Sequence, residues 1–411
     1  MSRVTTSQAA GARIVIHGGA GNISRQNLSP ESRHEYLSAI ARILQKIHPQ
    51  LASGRLHALD AAVDAVRMLE DDPLFNAGKG AVFTVDGTNE LEASVMVSRG
   101  QHKRCAGVFL LKHVKNPVLL AKEVLLRDDP TVERAERHTC LSGPYLEKLA
   151  GEWGLDIVDP SYFFTDKRWQ QHLRDLKRRP SGNSVSRSCD EGDDMKEKEK
   201  DDLVESPTSD DTLEEYLPKG TVGCVVLDNS GLIAAATSTG GLTNKVPGRI
   251  GDTPTPGAGF WAEEWDISDS ATSRPVIGSA AELLKQKIAA CLPVLAPRPT
   301  KTRRAVGLSG TGNGDYFLRL SACHNIVSRC RFGGKSLQAA AAEVCGPGGE
   351  MEEAADGRGD ADGAVIGVDE DGEVVMEMNC GGCFRGTVDG AGRVLVAAYA
   401  DEDLAEWTNS P

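Results

Sequence analysis

The sequence predicts an α+β fold of antiparallel sheets with helices on their outer faces. Strand-like and helix-like segments come in separate runs, short glycine-rich loops lie beside the strand-like segments, and no internal repeat is present. The chain has 411 residues, of which 40% are hydrophobic and 26% are charged, and 44 are glycines. These values are typical of a globular protein with one large or two ordinary domains.

The first half of the chain, residues 1–179, contains most of the predicted helices. A buried strand is predicted at 13–17, and Ser29-Pro30 begins a helix because Ser is a favourable N-cap and Pro a favourable first helical residue. The predicted helices cover residues 29–53, 58–69, 117–126, 144–153 and 166–178. Further strands are predicted at 80–85, 92–98 and 107–111.

The composition changes abruptly at residues 180–220, which are rich in Ser, Asp, Glu and Lys. Such a segment buries too little apolar surface to offset the entropy lost on ordering. We therefore predict a disordered acidic linker between two halves of one fold. A segment that binds a partner protein through its acidic residues is the alternative.

Residues 221–411 form the predicted second half. Strands at 221–228 and 232–239 flank a turn at 228–231, which is rich in turn-forming residues. The predicted helices of this half cover 278–291, 314–331 and 336–345, and its remaining strands cover 305–309, 364–369, 373–379 and 393–398.

The charge and cysteine content exclude several classes of function. The net charge of −13 argues against a nucleic-acid-binding surface or a basic membrane-binding patch. No apolar run reaches the ~20 residues that a membrane span needs, and residues 1–12 lack the apolar region of a secretory signal. The ten cysteines show no disulfide framework. We therefore expect a cytoplasmic enzyme with no nucleic-acid or membrane partner.

Two threonines are predicted to lie side by side at the open end of the hairpin. If the turn is centred near Ser230, Thr221 is paired with Thr239. Thr221 also stands at the junction between the linker and the fold. A threonine hydroxyl needs an adjacent base to act as a nucleophile, and the free amine of the same residue can be that base. This chemistry requires cleavage of the chain just before Thr221, which an exposed linker tolerates.

Six glycine-rich motifs, in order along the chain, carry a resemblance to a known family. They are residues 16–21 (IHGGAG), 75–80 (FNAGKG), 220–223 (GTVG), 237–241 (TSTGG), 247–252 (PGRIGD) and 309–314 (SGTGNG). The chain resembles the threonine-type (plant-type) L-asparaginases and isoaspartyl peptidases, which are N-terminal nucleophile hydrolases. The resemblance covers almost the whole chain except the linker and one insertion.

The resemblance implies a four-layer αββα sandwich that cleaves itself between Gly220 and Thr221. The two fragments would be the α and β subunits of an (αβ)2 dimer of heterodimers. Thr221 would then attack the side-chain amide of L-asparagine or of a β-aspartyl peptide, a small-molecule or short-peptide substrate. Thr239 and Asn76 would be the other catalytic residues. No cofactor and no metal ion are expected.

The remaining motif residues supply the predicted substrate-binding groups. Arg249 and Asp252 would bind the α-carboxylate and α-ammonium groups of the substrate through charge-assisted hydrogen bonds. Thr311 and Gly312 precede a predicted helix, where a hydroxyl and a backbone N–H can stabilise an oxyanion. Gly314 of the same loop is also assigned to substrate binding.

Two further motifs have simpler interpretations. His17 lies in the first glycine loop, where a structural hydrogen-bonding role is favoured over a catalytic one. Cys380 and Cys383 have redox or half-zinc spacing, but no second pair completes a metal site, so a turn with two incidental thiols is favoured.

Two departures from the family pattern bear on the substrate. Residues 263–304 form a predicted insertion, which we expect to border the mouth of the active site. Asp315 replaces a more usual Glu, and residues 313–315 (NGD) are closer to the pattern of the glycosylasparaginase branch. The alternatives are therefore a glycosylasparaginase, which usually has a secretory signal, and a threonine aspartase, which usually has Asp before its nucleophile where this chain has Gly220. A catalytically inactive scaffold of the same fold is the third.

Overall fold

Two β-sheets and the helices around them make up the mixed α/β fold. The computed structural model describes residues 11–100, 104–127, 138–177, 220–267 and 302–408. Within these residues the strands are β1 (Arg13–Gly21), β2 (Leu91–Val97), β3 (Cys105–Leu111), β4 (Cys140–Ser142), β5 (Val222–Leu227), β6 (Ile233–Thr239), β7 (Phe260–Ile267), β8 (Thr302–Gly312), β9 (Gly363–Asp369), β10 (Val374–Met378), β11 (Gly382–Val388), β12 (Val394–Tyr399) and β13 (Ala405–Glu406).

The helices of the described residues are α1 (Pro30–Ala52), α2 (Ala58–Glu70), α3 (Pro117–Leu126), α4 (Pro144–Glu152), α5 (Asp166–Lys177), α6 (Gly314–Leu320), α7 (Ala322–Arg331), α8 (Leu337–Cys345) and α9 (Glu350–Ala355). The Ser29 hydroxyl accepts a hydrogen bond from the Ser32 N–H at 3.1 Å and so caps α1 as predicted. In the described parts of the chain no helix is long and apolar enough to cross a membrane.

The larger sheet mixes strands from both halves of the chain. Its strand order is β13-β12-β11-β1-β5-β6-β2-β3-β4, and the smaller sheet has the order β10-β9-β8-β7. Strand β1 lies between β5 and β11, and β2 pairs with β6. Each of these pairs joins a strand before residue 220 to a strand after it. The two halves therefore share one hydrogen-bonded sheet.

Three groups of buried apolar side chains hold the sheets and helices together. Helices α1, α2 and α3 pack on the larger sheet, and their common core includes Ile16, Leu44 and Phe384. Strands β8 and β9 contact strands of the larger sheet, and Val225 and Ile366 are buried between the two sheets. Helices α7 and α8 pack on the smaller sheet.

The predicted hairpin of β5 and β6 is confirmed. Val222 pairs with Ser238, and Gly223 pairs with Thr237, which is the predicted register. Thr221 and Thr239 therefore lie at the open end of this hairpin. Since the turn accepts hydrogen bonds on Asp228 Oδ1 from the N–H groups of Ser230 and Leu232, the register is fixed locally.

Other predicted elements differ from the structure. Residues 80–85 are not a strand: a 3₁₀ turn at Gly78–Gly80 precedes an isolated bridge between Thr84 and Lys245. The helix predicted at 314–331 is two helices, because Ser321 adopts a left-handed conformation with φ of +47°. The helix predicted at 278–291 and the linker at 180–219 lie outside the described residues.

The predicted insertion at 263–304 overlaps regular structure at both ends. Strands β7 and β8 pair from Phe260 with Ser309 to Ile267 with Thr302. Residues 263–267 and 302–304 are thus strand residues of the scaffold. From Ser309 to Thr302 the strand runs about 23 Å, at roughly 3.3 Å per residue. Residues 268–301, which connect the far ends of these two strands, lie outside the described residues, so the expectation that the insertion borders the mouth of the active site stays a prediction.

Candidate active site

Thr221 lies directly before β5 and is almost completely buried. Thr221 is only 6% exposed, and its Oγ1 lies 3.0 Å from Oγ1 of Thr253. Its backbone carbonyl accepts a hydrogen bond from Nδ1 of His17 at 2.9 Å. The hydroxyl and the main chain of Thr221 are therefore held by two different parts of the fold.

A chain of hydrogen bonds links Thr221 to the second sheet. His17 Nε2 lies 2.8 Å from Oγ of Ser309, which is 3.1 Å from Oγ1 of Thr237. Burial lowers the pKa of His17 to about 3, so the imidazole is neutral at physiological pH. Because Nδ1 must donate to the Thr221 carbonyl, Nε2 must accept from Ser309. His17 thus has a hydrogen-bonding role in which both ring nitrogens are used.

Gly220 is tightly enclosed by the first glycine loop and by Thr311. A Cβ atom at residue 220 would lie 2.5 Å from the Ala20 nitrogen, 2.8 Å from Cα of Gly19 and 2.7 Å from Oγ1 of Thr311. The Ala20 N–H donates to Oγ1 of Thr311 at 3.3 Å. The bond between Gly220 and Thr221 therefore lies beside a hydroxyl and a backbone loop, and a side chain at position 220 has no space.

Thr239 and Asn76 meet at the loop that follows β6. Oγ1 of Thr239 accepts the N–H of Gly241 at 3.0 Å, and Asn76 Nδ2 donates to the Gly241 carbonyl at 2.8 Å. Asn76 Oδ1 accepts the Val82 N–H at 3.0 Å. The fully buried Asn76 therefore joins the loop after β6 to its own loop.

Arg249 and Asp252 converge on Gly314 at the start of α6. A Cβ atom at residue 314 would lie 2.2 Å from Oδ1 of Asp252 and 3.3 Å from NH2 of Arg249, so only glycine fits between them. Arg249 NH2 also donates to Oδ1 of Asp315 at 2.9 Å. The Asp315 side chain is about half exposed, so its ion pair with Arg249 is weak. Another carboxylate can therefore displace Asp315 from Arg249.

Asp252 is a buried carboxyl group with a shifted pKa among the predicted substrate-binding residues. It is 4% exposed, and its buried Oδ2 has no hydrogen-bond partner among the described residues. Burial raises the pKa of Asp252 to about 7, while the nearby Arg249 charge acts in the opposite direction. A buried carboxylate oxygen without a partner is costly unless a donor or a cation satisfies it.

Thr311 and Gly312 precede α6, as predicted, and they are the last residues of β8, which the sequence analysis had ended at residue 309. Gly312 has φ of +134°, and a Cβ atom there would lie 2.2 Å from the Asp362 carbonyl oxygen. The next residue, Asn313, caps α6 through a hydrogen bond from the Asp315 N–H to its Oδ1 at 3.3 Å. The loop is thus fixed on both sides of the Thr311 hydroxyl.

Residues that the sequence analysis did not select also line this region. Thr253 contacts the Thr221 hydroxyl, and Glu92 is paired with Thr239 across β2 and β6. Oε2 of Glu92 accepts the Gly251 N–H at 3.3 Å, and Oε1 of Glu92 lies 3.9 Å from the buried Nζ of Lys245. Burial raises the pKa of Glu92 and lowers that of Lys245. Glu92 is the one charged residue in β2, whose residues are all buried, and this is a signal that could have revealed the pair.

The two cysteines of the CxxC motif do not contribute to this site. Cys380 lies just before β11 and Cys383 within it, and both thiols are buried. Cys380 Sγ donates to the Gly382 carbonyl at 3.3 Å, and burial raises the pKa of Cys380 to about 11. Such thiols are poor nucleophiles because they stay protonated.

Comparisons with known proteins agree with the motifs. A model of the asparaginase family matches residues 10–276 and 302–396, and the unmatched residues 277–301 lie inside the predicted insertion. The isoaspartyl peptidase of Escherichia coli K12 is 34% identical over 374 residues, which cover 91% of this chain and 92% of that protein.

Two shorter matches extend the range of relatives. A plant-type L-asparaginase of Pyrococcus abyssi is 33% identical over 61% of this chain and 70% of its own length. The isoaspartyl peptidase/L-asparaginase of Danio rerio is 32% identical over 61% of this chain and 66% of its own length. The fold, the site and these relatives define an amidohydrolase. The chain belongs to the asparaginase family.

Proposed function

We propose that this chain cleaves itself before Thr221 and then hydrolyses the side-chain amide of L-asparagine and of isoaspartyl peptides. Support comes from the names of its relatives and from one structural observation. Thr221 Oγ1 is 3.0 Å from Thr253, whose neighbour Asp252 faces Arg249 across Gly314. A buried hydroxyl therefore lies next to a pair of opposite charges that suits an amino acid. The packing of helices on both sheets supports a four-layer αββα sandwich.

The first reaction is internal. Oγ1 of Thr221 attacks the carbonyl carbon of Gly220, and the bond between that carbon and the Thr221 nitrogen breaks. The product is an ester between Gly220 and Thr221, and the hydroxyl proton ends on the freed amine. Water then hydrolyses the ester, which leaves residues 1–220 and 221–411 as α and β subunits.

The second reaction repeats this chemistry on the substrate. The free Thr221 amine, with a reference pKa of about 8, takes the hydroxyl proton as Oγ1 attacks the side-chain amide carbon. The Thr221 amine then gives this proton to the departing nitrogen as the amide C–N bond breaks. Ammonia, or the second amino acid of an isoaspartyl dipeptide, leaves, and an aspartyl ester remains on Thr221. Water hydrolyses that ester and releases a free carboxylate.

The surrounding side chains have separate roles in this proposal. Arg249 binds the α-carboxylate by displacing Asp315, and the unpartnered oxygen of Asp252 binds the α-ammonium group. The Thr311 hydroxyl and the Gly312 loop stabilise the oxyanion. Asn76 and Thr239 hold the loop after β6 and so support the nucleophile.

The enclosure of Gly220 bears on the threonine-aspartase alternative. That enzyme class carries Asp before its nucleophile, whereas any side chain at residue 220 would overlap the backbone of Gly19 and Ala20. An asparaginase or isoaspartyl peptidase is therefore the better assignment. The (αβ)2 assembly stays a proposal drawn from the family resemblance.

The test compares three full-length proteins on a denaturing gel, by intact mass and in an asparagine and isoaspartyl-dipeptide assay. Wild-type protein should give two fragments, one beginning at Thr221, and Thr221→Ala should remain one chain. Arg249→Ala should be processed but should lose roughly 10- to 150-fold in kcat/KM, because a charge-assisted contact of about 1.5–3 kcal/mol is removed. Cleavage of Thr221→Ala at the same bond would show that another protease acts. An intact wild-type chain would favour the inactive scaffold.

A further inference from the structure

We infer that Thr253 is a positioning residue for self-cleavage, whose hydroxyl accepts a hydrogen bond from Thr221 in the intact chain. The inference rests on the proposed function. It goes beyond that proposal because it separates the group that assists the first reaction from the amine that assists the second.

The geometry around Thr253 is rigid. Thr253 is fully buried, and its Oγ1 lies 3.0 Å from Oγ1 of Thr221. Its backbone carbonyl accepts the Ser94 hydroxyl at 2.6 Å, which ties it to β2. The preceding carbonyl, of Asp252, accepts the N–H groups of Thr255 at 2.9 Å and Gly259 at 3.1 Å. The Thr253 hydroxyl therefore contacts the nucleophile from a fixed loop.

The chemistry of the intact chain makes this contact important. Before cleavage, the Thr221 nitrogen is part of a peptide bond and has no basic lone pair. The base available during turnover is therefore missing in the first reaction. A hydroxyl that attacks a carbonyl needs a hydrogen-bond acceptor that orients its proton away from the attacking lone pair. Thr253 Oγ1 lies at the right distance for that role.

The other hydroxyl at this end of the hairpin has a different partner. Thr239 Oγ1 accepts the N–H of Gly241 at 3.0 Å. His17 uses Nδ1 to donate to the Thr221 carbonyl rather than to accept from the Thr221 hydroxyl. The observed hydrogen bonds thus assign the Thr221 hydroxyl to Thr253.

A difference between the two reactions follows. Self-cleavage depends on the hydrogen bond to Thr253, whereas turnover has the new amine within the same residue as its base. The proton of the first reaction still ends on the Thr221 nitrogen, so Thr253 orients the hydroxyl without retaining a proton. Loss of the Thr253 hydroxyl should therefore slow processing more than it slows turnover.

The experiment follows processing of the full chain in a cell-free translation, sampled over time on a denaturing gel. Thr253→Val keeps the shape of the side chain and removes the hydroxyl, and Thr253→Ser keeps the hydroxyl. We expect Thr253→Val to slow the appearance of the fragment that begins at Thr221 about tenfold or more, as expected for one hydrogen bond. Thr253→Ser should be processed within about threefold of the wild-type rate. In processed Thr253→Val, kcat/KM for asparagine should fall by a smaller factor.

The outcomes separate this inference from the proposed function. If Thr253→Val is processed at the wild-type rate or faster, or if turnover falls as much as processing, the inference is wrong and the proposed function stands. If wild-type protein is never cleaved before Thr221, the proposed function itself fails. If Thr253→Val is less stable, Thr253→Ala and Thr253→Ser provide the same test, since both lack the methyl group and differ only in the hydroxyl.

Discussion

At the residue scale, Gly220 at the predicted cleavage site has no space for a side chain. A Cβ atom there would overlap backbone atoms of Gly19 and Ala20, which cannot move aside as a flexible side chain would. We expect Gly220→Ala to displace the bond to be cleaved and to slow processing at least tenfold.

A matched control is Gly151→Ala, since a Cβ atom in that helix position has an ordinary 3.6 Å contact with Ile157. The fraction of cleaved chain after a fixed time, measured on a denaturing gel, compares the two variants. Wild-type processing of Gly220→Ala would show that the loop at Gly19 adapts readily to a side chain.

Asp252 should make substrate binding depend on pH near neutrality. Burial raises its pKa to about 7, so the carboxyl is mainly protonated below pH 7 and ionised above it. A substrate ammonium group binds the ionised form more strongly. The inhibition constant of the product L-aspartate should therefore fall about tenfold or more between pH 5.5 and 8.

Inhibition is measured with processed enzyme, because L-aspartate keeps its ammonium charge across this range. Asp252→Asn should bind L-aspartate weakly at every pH and show no such change. A flat inhibition constant in the wild type would remove Asp252 from the ammonium site.

At the scale of elements, Glu70 links three of them and is a source of pH-dependent stability. It ends α2, and its Oε1 accepts the Val118 N–H of α3 at 3.0 Å and the Ser238 hydroxyl of β6 at 2.7 Å. Its buried Oε2 has no hydrogen-bond partner among the described residues. Burial raises the pKa of Glu70 to about 8 from its ordinary 4.5.

The sign of the stability effect follows from this shift. Between pH 4.5 and 8 the folded chain keeps a proton that the unfolded chain releases. The free energy of unfolding should therefore fall as pH rises through this window, by up to about 1.4 kcal/mol per pH unit. Glu70→Gln keeps the accepting oxygen and should remove that loss.

The measurement uses urea unfolding of Thr221→Ala with and without Glu70→Gln, so that the chain stays in one piece. The stabilisation by Gln should be larger at pH 8 than at pH 5.5. Equal differences at both pH values would mean that Glu70 is ionised in the fold.

Much of the element order could be predicted from local signals, and the failures have physical causes. The N-cap at Ser29 and the turn at 228–231 are encoded within a few residues, so α1 and the β5–β6 register were predicted correctly. Strand β7 and the break at Ser321 were missed. Strand β7 depends on its partner β8, and the helix after Ser321 begins with the N–H groups of Cys323 and His324 bound to the carbonyls of Ala258 and Gly257. A local pattern does not contain such partners.

The same distinction applies to the site. The glycine-rich motifs indicated the candidate site, because a close approach of the backbone requires glycine, which is visible in the sequence. The residues found in this way are Thr221, Arg249, Asp252 and Thr311. Thr253 was missed, since its contact with Thr221 joins residues that are 32 positions apart. The residues beside a threonine in the sequence do not indicate which distant hydroxyl it contacts.

At the scale of the whole molecule, the mixed strand order should keep the two fragments together after cleavage. Strand β1 is hydrogen-bonded on one side to β5 and on the other to β11. We expect processed protein to elute as one species in size-exclusion chromatography and to separate into two bands only after denaturation. Native mass spectrometry should show whole numbers of αβ pairs, two if the dimer of heterodimers forms.

Thr221→Ala, which stays uncleaved, is the reference for the elution volume. Separation of the fragments under native conditions would contradict the shared sheet. A mass of one αβ pair would leave the shared sheet intact and would remove only the proposed (αβ)2 assembly.

The position of β1 also determines that the larger sheet forms more easily before cleavage than after it. Ile14 and Thr387 are hydrogen-bonded although 373 residues separate them, so the larger sheet closes only after nearly the whole chain has been made. While the chain is continuous, that closure is intramolecular. Once the bond before Thr221 is cut, the same closure requires two molecules to meet. Cleavage would therefore make unfolding irreversible, and a heated sample of the processed enzyme would not recover its activity on cooling.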